Sequence, residues 1–134
     1  MIPPAADAFL REHTRTFLVT VRPDGAPACH PMVGFWRNGA LYINTYRASA
    51  KARNLLAEPR VACVVVTDDD ARPFRGVVLR GRAEIADVPA VQRSDRPAVV
   101  GHDVADLVQA RLAAGKRVLV RIVPDDVRLV GEHG

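Results

Sequence analysis

The residue types best suited to chemistry lie between Ala40 and Cys63, where a strand-like run, Leu41 to Asn44, leads into a short helix that Ser49 can cap and Pro59 must end. The charges on that helix run against its dipole. A helix N-terminus carries partial positive charge and favours acidic side chains by roughly 0.3–1 kcal/mol each. Here Arg47, Lys51 and Arg53 crowd the start, and Glu58 stands at the end. An anion at the free backbone N–H groups would reconcile dipole and cations, and phosphate is the common anion at such ends. A solvated helix with an incidental order of charges accounts for the same residues, so the pattern alone does not decide.

No G-x-S-x-G, P-loop, G-x-G-x-x-G, H-E-x-x-H or paired-carboxylate motif occurs, which leaves hydrolase, kinase and dinucleotide-fold readings without support. His13, His30, His102 and His133 lack metal-ligand spacing, and only His30 falls within a strand-like run, where packed histidines outnumber catalytic ones. Phe35 and Trp36 can stack on a ring or a base, although a barrel rim or a dimer contact is the commoner use of such residues. A chain without its own acid, base or nucleophile set can still do chemistry when a cofactor brings the reactive atom.

The elements that must position these residues belong to one domain, 1–134, since 134 residues bury roughly two thirds of the surface that the unfolded chain exposes. Cys29 and Cys63 lie in strand-like runs without CxxC or Cys/His spacing, which predicts buried, reduced thiols, no metal site and a cytoplasmic setting. No N-terminal leader pattern and no apolar run near the ~20 residues of a membrane helix is found, so a soluble protein is expected. The net charge is +4, but all except two of the 19 cations are arginines scattered along the chain, which is weak support for nucleic acid.

A short helix over Asp7 to His13 is expected to present Ala5, Ala8 and Phe9, with Ala6 at the margin of that side, to one end of a sheet. Thr16 to Val21 reads as a strand, Arg22-Pro-Asp-Gly25 as a turn, and Ala28 to Trp36 as a strand in which Pro31 marks an edge or a bulge. Asn38-Gly39 is a hairpin signal. Val61 to Thr67 reads as a central strand buried on both faces, and Gly76 to Ile85 as a strand with one wet face. A helical turn at Val88 to Gln92 and a core-facing helix at Asp103 to Ala114 follow, then strands at Val118 to Val123 and Val127 to Val130. Six or seven strands joined mainly by hairpins, with small helices inserted, make a mainly β, mostly antiparallel barrel.

Ile43-Asn-Thr-Tyr-Arg-Ala-Ser-Ala-Lys51, followed by Asn54-Leu55, Pro59 and Val61, resembles the flavin-phosphate segment of the split-barrel flavin and deazaflavin oxidoreductases, relatives of pyridoxamine 5′-phosphate oxidase. Further similarity runs through Phe17 to Val21 with Asp24-Gly25 and Pro27, through Pro31-Met-Val33, and through Arg75 to Ala83 with Gly81. The resemblance implies an FMN-binding split β-barrel in which Thr45, Ser49 and Lys51 hold the cofactor phosphate. The backbone of Pro31, Met32 and Val33 would lie along the ring, with Asn44 flanking the site. It also implies a homodimer with the cofactor in a cleft between subunits, where Gly81 and Ala83 let strands or a partner approach closely.

Two departures matter. Ala50 stands where the vitamin-pathway oxidases have Arg, and Gly76 where they commonly have Gln, which weakens the case for tight FMN binding. The sequence also ends at Gly134 without the arginine-bearing substrate segment of those oxidases, which argues against pyridoxamine phosphate oxidation. Short members of this kind more often resemble enzymes that use the deazaflavin coenzyme F-420. The expectation is therefore a cytoplasmic oxidoreductase in which coenzyme F-420 delivers hydride to a small conjugated substrate, with solvent, His30 or Tyr46 as the proton source. The alternatives are FMN in the same fold, or a cofactor carrier or sensor without turnover. A small nucleic-acid-binding barrel is a further reading, which salt-sensitive oligonucleotide binding would reveal.

Overall fold

The computed structural model describes residues 2–68, 74–86 and 117–131. The helices expected at Val88 to Gln92 and Asp103 to Ala114 lie outside the described residues. In chain order the elements are α1 (Pro4–Glu12), β1 (Arg15–Val21), β2 (Pro27–Arg37), β3 (Ala40–Tyr46), α2 (Ala50–Ala57), β4 (Arg60–Val66), β5 (Arg75–Ala86) and β6 (Arg117–Gly131). The six strands close into an antiparallel barrel in the order β1-β2-β3-β6-β5-β4, with β4 returning to β1.

Period-two alternation builds the barrel wall. Leu18, Leu41, Ile43, Val65, Leu79 and Ile122 point inward and are fully buried, as a strand with one face on a core requires. β4 was expected to be buried on both faces. Instead Val61, Cys63 and Val65 are buried while Ala62, Val64 and Val66 are only half-buried on the outer surface. A pure apolar run does not reveal alternation, because the outer positions carry no polar residue to mark them. Burial pushes the Cys63 thiol up to about 12, whereas Cys29 lies on the outer face of β2 and is exposed, contrary to the expected burial.

The helices stop the two ends. α1 begins at Pro4, whose fixed φ suits a first turn. It buries Ala6, Phe9 and Leu10, the i, i+3, i+4 face, so of the expected apolar side Ala6 and Phe9 are buried while Ala5 and Ala8 are exposed. The Trp36 indole N–H donates to Asp7 Oδ1 at 2.8 Å and Arg11 Nε donates to Asp7 Oδ2 at 2.9 Å, and these two contacts hold the Asp7 carboxyl below its usual range. Trp36 is thereby committed to the core and is not a stacking platform for a ligand. At the other end, α2 sends the buried Asn54 Nδ2 to Thr20 Oγ1 at 3.1 Å, which ties the helix to β1.

Asn38 and Gly39, with φ of 49° and 77°, turn the chain from β2 to β3 as the Asn-Gly signal predicts. The two expected C-terminal strands are one. β6 runs through Pro124, and the pairing with β5 shifts from Arg80↔Asp126 to Gly81↔Pro124, which leaves Asp125 as the extra residue of a bulge. Proline is tolerated there because the ladder is already interrupted.

Candidate functional site

The barrel is closed in its pairing but split along one seam. β2 pairs with β1 from Pro27 to Val33, and with β3 only from Gly34 to Arg37. Extending the β2–β3 register would set Val33 against Asn44, Met32 against Thr45 and Pro31 against Tyr46, yet the ladder stops at Gly34↔Ile43. The two segments that part company are those that carry most of the expected site.

Backbone direction within the seam follows from the hairpin. Arg37 and Ala40 flank a two-residue turn, so they form a hydrogen-bonded pair and the odd residues of β2 aim their polar groups toward β3. Gly34 confirms the alternation, since its N–H goes the other way, to Thr14 O at 2.9 Å. Val33 therefore offers an N–H and a C=O to the seam, and Pro31 offers a C=O. The expected role of Pro31 as an edge marker is met without a bulge, because the donor it lacks falls on the side that has no partner strand. Met32 is different: its backbone groups turn to β1 and its side chain packs against the core. From the opposite side Asn44 and Tyr46 face the seam, and Tyr46 O accepts from Ser49 N at 3.1 Å.

Below the seam stands the start of α2. Ser49 is its N-cap, with Oγ accepting from Ala52 N at 3.1 Å, and Thr45 Oγ1 lies 3.1 Å from Ser49 Oγ. Thr45 is 4% exposed and points inward, and either hydroxyl of the pair can donate to the other. The cap stands beside the Ala50 and Lys51 N–H groups, which have no helical acceptor in a first turn. Lys51 is half-buried and makes no ion pair or side-chain hydrogen bond among the described residues. The first turn holds no carboxylate, and Glu58, at the far end, is occupied by Arg60 Nη2 at 2.7 Å, which lowers its pKa. At Ala50 the side chain is a methyl, which leaves the N–H groups uncovered.

The structure thus sets Pro31, Val33 and Asn44 along one seam and Ser49 and Lys51 at the helix start that follows β3, with Thr45 behind Ser49 and Met32 behind the β2 wall. His30 faces the barrel interior and leaves a buried Nδ1 without a partner. Sequence reasoning passed over Arg117, which pairs with Tyr46 across β3–β6 and lays its guanidinium carbon 4.3 Å from the centre of that ring. A lone arginine at the start of a strand carries no signal of its own; only the register reveals it. Among the described residues no group of three or more metal-ligating side chains occurs.

A mainly β chain closed into a six-stranded antiparallel barrel, with a seam beside a capped helix start, is a split-barrel protein. The pyridoxamine 5′-phosphate oxidase family profile matches residues 2–131, and the chain belongs to that family. A search of curated proteins finds no significant match. Among solved structures, a conserved hypothetical protein of Mycobacterium tuberculosis, Rv2991, is 27% identical with a TM-score of 0.76, over 98% of this chain and 86% of that one. An F-420 reductase is 24% identical with a TM-score of 0.70, over 95% and 98% of the two chains. The haem storage protein HutZ of Vibrio cholerae, at 17% identity and a TM-score of 0.72, covers 98% of this chain and 95% of that one. At these lower identities the likeness is one of fold.

Proposed function

We propose that this protein is a cytoplasmic oxidoreductase that binds coenzyme F-420 and uses it to reduce a small conjugated substrate. The observation that carries this reading is the unpaired seam between Pro31–Val33 and Asn44–Tyr46, which ends at a helix start lined by Ser49 and Lys51. The residues fit a ring with a phosphate-bearing tail. Ser49 and Lys51 hold the phosphate, Thr45 orients Ser49, the Pro31 and Val33 backbone forms one wall of the ring site, and the side chain of Val33 excludes water. When bound, the deazaflavin supplies a hydride. An F-420 reductase shares the fold.

FMN is the competing cofactor, and Ala50 favours the deazaflavin over it. An arginine there would grip a terminal phosphate bidentately, as lysine cannot. A longer anionic tail recovers the loss by reaching Arg47 and Arg53 on the same rim. Fluorescence titrations at low and high salt test this. Tighter binding of coenzyme F-420 is expected, with a preference that shrinks as salt rises, because exposed charge pairs contribute under about 1 kcal/mol each and are screened. Tighter FMN binding at both salts would reverse the assignment. Oxidation of the reduced cofactor by an enone or quinone panel separates an enzyme from a carrier.

The working unit is a homodimer. Phe17, Val19, Pro31, Val33 and Val64 lie on the outer face of β1, β2 and β4, joined by the register pairs Phe17↔Pro31 and Phe17↔Val64. Val33 is 47% exposed in the single chain. A contiguous apolar face beside a ligand seam is the kind of surface that a second copy covers. Light scattering at micromolar concentration should give the dimer mass; a monomer mass with cofactor present would contradict the shared cleft.

A further inference from the structure

Two buried polar atoms of opposite character lie on adjacent strands beside the seam. Asn44 Oδ1, an acceptor, and Arg117 Nε, a donor, are both buried and have no hydrogen-bond partner among the described residues. The register pairs Asn44↔Leu119 and Tyr46↔Arg117 place both side chains on the outer face of β3–β6, as diagonal neighbours. Such neighbours are about 7–8 Å apart. The Tyr46 ring beneath the guanidinium fixes the height of Arg117 above the sheet. Asn44 borders the edge from which β2 has withdrawn.

Buried polar atoms are nearly always paired, so an orphaned donor beside an orphaned acceptor describes the missing partner. A carboxylate or phosphate offers acceptors alone and would leave Asn44 Oδ1 facing another oxygen. An ammonium offers donors alone and would be repelled by Arg117. The complement is a neutral edge with an N–H next to a C=O. The other two orphans among the described residues make no such pair. His13 Nδ1 lies 3.6 Å from the Asp68 carboxylate at the α1 end, and His30 Nδ1 lies inside the barrel.

We propose that Asn44 and Arg117 together recognise the imide edge of the bound ring, Asn44 Oδ1 accepting from the ring N–H and Arg117 Nε donating to the adjacent carbonyl oxygen. This rests on the cofactor reading above, since the pyrimidine portion of a flavin or deazaflavin carries that edge. Ring and tail are then read by separate parts of the chain, the ring by β3 and β6 and the phosphate by the start of α2. A ring of similar size without the N–H leaves Asn44 unpaired and is rejected.

The test compares coenzyme F-420 with an analogue methylated at the imide nitrogen, by fluorescence titration of the wild-type protein, Asn44→Leu, Arg117→Met and Lys51→Ala. The wild type should bind the methylated analogue about tenfold more weakly. Asn44→Leu should weaken the parent ligand by a similar factor and bring the two ligands to within about threefold of each other. Arg117→Met should weaken both ligands. The ligand comparison on the wild type needs no variant to fold. Equal affinity for the two ligands, with Lys51→Ala still weakening both, would overturn the imide assignment and leave the cofactor reading intact. Failure of the wild type to bind either ligand or FMN would overturn both.

Discussion

Lys51→Ala is expected to weaken binding of coenzyme F-420 by about 1.5–3 kcal/mol, the range of a charge-assisted hydrogen bond removed from a prepared site. Stability should change by less than about 0.5 kcal/mol. The two expectations separate because Lys51 does no structural work. It is the second helical residue of α2, it is half-buried, and it has no ion-pair or hydrogen-bond partner among the described residues. Ser49 caps the helix whether or not the ammonium is present. A calorimetric or fluorescence titration of the variant decides the matter, with urea unfolding as the stability control. Superposition of the variant's titration on that of the wild type would remove Lys51 from the site. Arg53→Ala is the useful comparison: exposed on the same rim, it should lose under about 1 kcal/mol, and the loss should vanish at high salt.

Gly81→Val should destabilise the fold by about 3 kcal/mol or more, which lowers Tm by roughly 10 °C in a domain of this size. A Cβ at this position would run into the Val123 carbonyl oxygen, and it would lie 2.7 Å from Pro124 Cα. Both obstacles are backbone, held in place by the bulge that Asp125 introduces, so neither can move aside as a side-chain tip would. Gly76→Ala is the milder contrast, because the nearest atom to its Cβ would be the Val65 carbonyl oxygen, at 3.1 Å, and the next two are side-chain atoms at ordinary contact distance. Thermal unfolding of the two variants should rank them in that order, and a Gly81→Val protein as stable as the wild type would mean that β5 and β6 do not approach as described.

Local chemistry made much of this legible before any coordinates. The Asn38-Gly39 hairpin, the Ser49 cap, the stop at Pro59 and the edge character of Pro31 each follow from a dihedral angle or a missing donor within a few residues. What depends on a distant partner was less visible. Pro124 reads as the end of a strand because sequence alone does not show that Gly81, far back in the chain, offers it a place without a side chain. The outer face of β4 reads as buried because valines on both faces erase the alternation. Ser49 and Lys51 are found by their spacing on one helix, whereas Arg117 reaches the seam only through its pairing with Tyr46.

β6 is the strand that pairs with β3 on one side and with β5 on the other, and it is the last of the six in chain order. During synthesis β1 to β4 can assemble as a curved sheet, but β3 and β5 each keep a bare edge until residues 117–131 have been made. Bare edges recruit other strands. The polypeptide therefore passes through a stage in which its most adhesive surfaces await a segment not yet translated, and the productive ending is a ring closure over a long stretch of chain, an intrinsically slow event. Arg117, Arg121 and Arg128 lie along the closing strand, and the Glu84–Arg121 pair at 3.3 Å is one contact that forms only when the ring is complete.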